Sequence, residues 1–203
     1  MLFACIACAH AQTPEERLFA AIEEGKPLVA EGIVARGEVK LDARNKDRET
    51  PLHAAIEKGV KELAAMLVKA GAPLGARSSN GETPLHLAAL HADPWFVDLL
   101  LEAKADPKAR NDDGESVLQW AVMTGNPLVA QHLLEHGADA KATDLKGNTL
   151  LHAAADGGHE DMLDALLGLG VDPRQRNRVG KRPIEVARER GYQAIAKRLA
   201  RFE

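Results

Sequence analysis

The sequence predicts an all-α solenoid of stacked helix-turn-helix units closed by capping units, and three observations carry that expectation. The first is a period. TPLHAAI begins at Thr50, TPLHLAA at Thr83, SVLQWAV at Ser116, TLLHAAA at Thr149 and RPIEVAR at Arg182, each 33 residues after the last. Self-similarity at a step of roughly 20–50 residues marks repeat architectures, whose units bury their apolar faces against one another. The second is the chemistry at each start. Thr at the N-cap accepts a backbone N–H, and Pro at the next position lacks only a donor that would be unpaired anyway. The third is punctuation. Gly59, Gly125, Gly158 and Gly191 follow the first apolar stretch, and Gly71, Gly137 and Gly170 end the second. Gly81, Gly114, Gly147 and Gly180 stand two residues ahead of the start. Each unit therefore reads as turn, helix, glycine stop, helix, glycine stop.

From the beginning of the chain, MLFACIACAHAQ is uncharged from Leu2 to Ala9, with Ala9 and Ala11 flanking His10. Small residues placed so after an apolar run are similar to a signal peptide, here over residues 1–11. That predicts a periplasmic or secreted protein; because no Lys or Arg precedes the run, a cytoplasmic protein is the alternative. Cys5 and Cys8, the two cysteines, both fall in this segment. With no βαβ pattern around them, their CxxC spacing reads as part of the leader rather than as a redox or metal pair. No stretch reaches the roughly 20 apolar residues that a bilayer span needs. Thr13-Pro14-Glu15-Glu16 then supplies an N-cap hydroxyl, an N1 proline and an N3 glutamate, so a helix is expected to start there.

The repeat domain is expected over 12–203, in units near 12–44, 45–77, 78–110, 111–143, 144–176 and 177–203. The first lacks TPLH and aligns only with a one-residue shift, through Leu18-Phe19-Ala20-Ala21 and Gly25, as an N-terminal cap. The last has Arg182 for Thr and Glu185 for His, as the opposite cap. Where Pro is lost, Ser116 and Gln119 are expected to form a capping box.

Composition limits the functions on offer. The chain is 45% hydrophobic and 28% charged but only 3% aromatic, so small aliphatic side chains must do most of the packing. From Val171 onward ten Arg and Lys face four acids, leaving about −10 of the net −4 to the preceding residues. A basic end offers binding of nucleic acid or an acidic partner. However, no aromatic residues interleave the arginines to stack bases, and a polar outer face is what a terminal unit needs. No nucleophile triad, Walker loop or GxGxxG is present, and nothing in the spacing of the acids brings two into a dry cleft.

One string offers catalysis. Residues 131–136 read QHLLEH, which fits HxxEH, the inverted zinc-protease helix, with His132 and His136 as ligands of a metal-dependent hydrolase. Yet Leu133-Leu134 aligns at the repeat step with Met66-Leu67, Leu100-Leu101 and Leu166-Leu167, so packing accounts for the same letters. A third ligand would also be needed. His53, His86 and His152 recur at the period, too far apart for one ion.

TPLHxAA at a 33-residue step, a following Gly, a paired leucine and Gly137-Ala138-Asp139 together resemble ankyrin repeats over about residues 13–203. The resemblance implies a non-catalytic module, monomeric and without cofactor, metal or small-molecule substrate, that binds an unidentified protein through turn tips and a concave inner-helix face. It also implies that His53, His86 and His152 bond back to their N-cap Thr and across to the next loop. At the tips the candidate contacts are Glu82, Asp112, Asp113 and Glu115, and on the inner helices Leu90, His91 and Met123. Leu90 and Met123 are apolar where solvent is expected and would form a patch beside an acidic rim. Trp95, at the start of an outer helix, is an exposed-aromatic candidate on another face. Trp120 opposite the small Ala153 reads first as core filling, with a binding anchor as the alternative.

Overall fold

A computed structural model describes residues 13–203. The expected leader, with Cys5 and Cys8, lies outside the described residues. The described chain is helical, with one isolated bridge between Arg110 and Ser116 as its only β pairing. Inner helices are α1 (Pro14–Glu23), α3 (Pro51–Glu57), α5 (Pro84–Ala88), α7 (Val117–Met123), α9 (Leu150–Gly157) and α11 (Pro183–Arg190). Outer helices are α2 (Pro27–Ala35), α4 (Lys61–Lys69), α6 (Trp95–Glu102), α8 (Pro127–Glu135), α10 (Glu160–Gly168) and α12 (Gln193–Leu199), followed by a 3₁₀ turn, Ala200–Phe202. Each inner helix packs on the next inner helix and on its own outer partner. None of these helices is long and apolar enough to cross a membrane.

A single core runs the length of the stack. Leu52, Leu85, Leu118, Leu151 and Ile184, two residues after each unit start, are all buried. Each such side chain removed from water stabilises by about 1.5–3 kcal/mol, so the same position repeated supplies a continuous spine. Between these leucines sit buried alanines such as Ala55, Ala88, Ala121 and Ala154, small enough to let successive helices approach.

The helix starts follow the sequence closely. Thr13 accepts the Glu16 N–H at 3.1 Å while Glu16 takes the Thr13 N–H at 2.8 Å. In three central units histidine plays the glutamate's part. His53 Nδ1 accepts from the Thr50 N–H at 3.1 Å, which leaves Nε2–H to donate to the Glu82 carbonyl of the next unit at 3.1 Å. His86 reaches the Glu115 carbonyl at 3.3 Å and His152 the Lys181 carbonyl at 2.9 Å in the same way. Burial pushes the His53 and His86 imidazoles down to about 4, and His152 down as well, so the ring stays neutral and can accept and donate at once. In the last unit Glu185 takes the Arg182 N–H at 2.5 Å.

The box expected at Ser116 is only half formed. Ser116 Oγ accepts the Gln119 N–H at 3.1 Å, but the Gln119 side chain does not return to the cap; its Nε2 donates to Asp144 Oδ2 at 3.3 Å. The carboxylate of the next unit competes successfully for an amide that a two-residue motif would keep local.

Two further ladders join the units. Arg44, Arg77 and Arg110 each donate to the carbonyl 33 residues on, those of Arg77, Arg110 and Thr143, all at 2.7 Å. At the turn tips one backbone bond crosses each step: Ser79 to Asp47, Asp112 to Asn80, Leu145 to Asp113 and Arg178 to Lys146, at 2.8–2.9 Å. At two positions where the glycine punctuation is missing the backbone still turns left-handed, with Arg48 at φ 60° and Lys104 at φ 72°, whereas Ala92, one period after Gly59, does not.

Candidate functional site

One position of the inner helices carries Ala54, Leu87, Trp120, Ala153 and Val186 in successive units, the first, second and fourth buried in the core and the other two packed against it. A large, a small and a medium residue therefore stand in line across units four to six. Together with the tips of units five and six they line a cleft of about 440 Å³. Trp120, Ala153 and Val186 contribute its apolar surface, and Met123 closes the helix side. From the tips come Lys146, Asn148, Val179 and Lys181. Val179 is 74% exposed, an apolar side chain offered to solvent at the lip.

The cleft's charges are largely matched. Arg190 bonds Asp156 at 2.6 Å and Lys181 bonds Glu189 at 2.6 Å. Trp120 is half-buried: it packs on the core, stands edge-on to His86 at 5.4 Å and donates Nε1–H to Glu115 Oε2 at 2.9 Å. The ring packs on the core, as the first sequence reading has it, and also lines the cleft. Gln119 also lines the cleft and is only 5% exposed; its Oε1 is a buried acceptor without a partner among the described residues.

The residues singled out from sequence divide between this cleft and other places. Glu115 and Met123 line it. Leu90, 48% exposed, and Met123, 39% exposed, occupy equivalent repeat positions, Leu90 in the turn just after α5 and Met123 at the end of α7, so the apolar pair extends the cleft toward unit three. His91 is tied into the scaffold: Nε2 bonds the Ile56 carbonyl at 2.7 Å and the ring packs on Phe96 at 4.8 Å. Asp112 is exposed and pairs with Arg77 at 2.7 Å, Asp113 is exposed beside it, and Glu82 accepts from Ser78 Oγ at 3.0 Å. Trp95, on α6, is half-buried edge-on to Phe96 at 5.2 Å beneath Lys61 Nζ at 5.4 Å. Gln119, Ala153, Val179 and Val186 escaped the sequence reading as site residues. The large-against-small pairing of Trp120 with Ala153 was the signal that could have found them.

His132 and His136 lie on and just after outer helix α8, away from the cleft. His132 Nδ1 meets Asp98 Oδ1 at 2.5 Å, and His136 Nδ1 meets the His132 carbonyl at 2.8 Å. Among the described residues no three His, Cys, Asp or Glu side chains gather as a metal would require. In the basic cap most cations already have anions or carbonyls: Arg182 and Arg188 share Glu203, Arg198 bonds Glu160 and Asp164, and Arg176 pairs with Glu185.

The family model for ankyrin repeats (3 copies) matches residues 18–111, 93–177 and 118–202, nearly the whole described chain. The chain belongs to the ankyrin repeat family. Among solved structures, the ankyrin repeat domain of Bcl-3, described as a unique member of the IkappaB protein family, superposes with a TM-score of 0.76 at 31% identity. That match covers 94% of this chain and 87% of the other. A search of curated proteins finds no match. Ankyrin repeats are protein–protein interaction modules, and the histidine and arginine ladders described above are this chain's means of building one.

Proposed function

We propose that this ankyrin repeat chain is a non-catalytic module that binds a partner protein along the groove formed by its inner helices and turn tips. The single observation that carries the reading is the apolar surface there: Leu90 in unit three is exposed at the position Met123 takes in unit four, and Met123 and Trp120 line the cleft with Val179. An apolar centre rimmed by charge is the anatomy of a protein contact, and a half-buried tryptophan is a favoured anchor. The acidic tips at Asp112 and Asp113 border this surface and would tune encounter more than affinity.

Cross-linked pull-down from fractionated cells tests it, comparing wild type with Leu90→Glu plus Met123→Glu. Partner recovery is expected to fall with helicity unchanged, because both side chains are exposed. Equal recovery from both proteins would remove the patch from consideration. Export belongs to the same proposal: a mature chain starting at Gln12 in an extracytoplasmic fraction is the expected result, checked by intact mass.

A further inference from the structure

The junction between units four and five differs from its neighbours in three ways. The histidine tie is missing, because Gln119 stands where His53, His86 and His152 stand and turns to Asp144 instead of the Asn148 carbonyl. The arginine tie is missing, because Thr143 occupies the position of Arg44, Arg77 and Arg110 and cannot reach the Arg176 carbonyl. The outer helices α8 and α10 approach each other less than the other outer neighbours do. Two substitutions have removed the repeated ties where the cleft lies, and departures from a local rule of this kind concentrate at functional sites.

The amide orientation of Gln119 is set by chemistry. Asp144 accepts from the Asn148 N–H at 2.7 Å and from Asn148 Nδ2 at 2.8 Å, so it is an acceptor there. Only the NH₂ end of Gln119 can face it; a flipped amide would set oxygen against oxygen. Oε1 is thereby left as a buried acceptor awaiting a donor. Beside it, Ala153, 7% exposed, lies between Trp120 and Val186 and leaves room that Leu87 fills in unit three.

From these we infer that the cleft is a socket for one extended peptide segment of a partner protein, resting on the protein-binding reading above. One aliphatic or aromatic side chain seats over Ala153 between Trp120 and Val186, and an N–H of the same segment donates to Gln119 Oε1. The matched ion pairs at the rim favour a segment with little net charge over a strongly acidic or basic one.

The test is selection of a phage-displayed random peptide library on the full chain, followed by affinity measurement on two variants. Ala153→Leu fills the socket with the residue unit three carries, and Gln119→His replaces the orphan acceptor with the residue three other units carry, so both are compatible with the fold. Selected peptides are expected to share one apolar position and to lose on the order of tenfold or more in affinity for each variant. The melting temperature of Gln119→His should equal or exceed that of wild type. Peptides that bind both variants as tightly as wild type overturn the socket. If those same peptides lose binding to the Leu90→Glu plus Met123→Glu protein, the broader reading survives while the socket fails. Failure to select any peptide that separates wild type from Ala153→Leu, or self-association of wild type that Ala153→Leu abolishes, also overturns it.

Discussion

The buried histidines make stability depend on pH, in a direction their environment dictates. His53 and His86 titrate near 4 when folded against an ordinary value of 6.5, because burial disfavours the imidazolium. Between pH 6.5 and 4 the unfolded chain takes up protons that the folded chain refuses, so stability falls as the solution is acidified. Above pH 7 the contribution is fully present, and by pH 4 each histidine has withdrawn on the order of 3 kcal/mol. Urea midpoints should therefore drop between pH 7 and pH 5; a flat profile would show that the rings are not held neutral. A second prediction concerns backbone. Arg48 and Lys104 adopt a left-handed conformation that costs an L-residue roughly 1–2 kcal/mol, partly offset because glycine loses more entropy on folding. Arg48→Gly and Lys104→Gly are each expected to stabilise by about 0.5–1 kcal/mol in urea denaturation. The sequence pattern marks both positions as gaps in its glycine punctuation, but a gap alone does not reveal whether the backbone has kept the turn or abandoned it.

At the scale of elements, the starts of helices were legible and their ends nearly so. Thr, Pro and a capping partner three residues on are short-range signals, and the bonds they make at Thr13, Thr50, Thr83 and Thr149 are local. Removing one should act locally too: Thr83→Ala is expected to cost about 1 kcal/mol, read as a lower denaturation midpoint without loss of cooperativity. Ser116 shows where such reading stops. Its glutamine partner had a rival acceptor, Asp144, 25 residues further along, and no spacing rule weighs a cap against a carboxylate delivered by stacking. The same limit applies to the cleft. Met123 is legible because an apolar residue is unusual at its position, and Glu115 because it belongs to an acidic turn tip. Ala153 and Val186 are ordinary until helices α7, α9 and α11 are set side by side and the row Trp120, Ala153, Val186 acquires a depression in its middle. His91, apolar-patch neighbour by sequence, proved to be a donor to the preceding unit for the same reason: its partner, Ile56, is 35 residues away.

For the molecule as a whole, stability is approximately a sum over units and the interfaces between them, so the weakest interface decides where it opens. The junction of units four and five lacks the histidine and arginine ladder ties found at earlier steps, keeping Gln119 to Asp144 and His159 to the Met123 carbonyl, and hydrogen exchange should report it. Amides of α9 to α12 are expected to exchange at lower denaturant than those of α3 to α7. Thr143→Arg together with Gln119→His should bring the two sets together, and uniform exchange in wild type would contradict the idea of a soft step. The cap beyond it behaves as a terminus should: its arginines spend their charge on Glu203, Glu160, Asp164 and Glu185. Most of the cations visible in the sequence thus have partners within the fold.

The arginine ladder has a bearing on how such a chain can be edited. Arg44, Arg77 and Arg110 address main-chain oxygens, which every amino acid possesses, at a fixed distance of one period. Excising residues 78–110 would bring Arg77 opposite the Thr143 oxygen that Arg110 now serves, so the shortened protein should still melt in a single transition. Removing one residue fewer would misalign the ties that span the cut. Copy number is therefore free to change by whole modules, while the spacing inside a module is not.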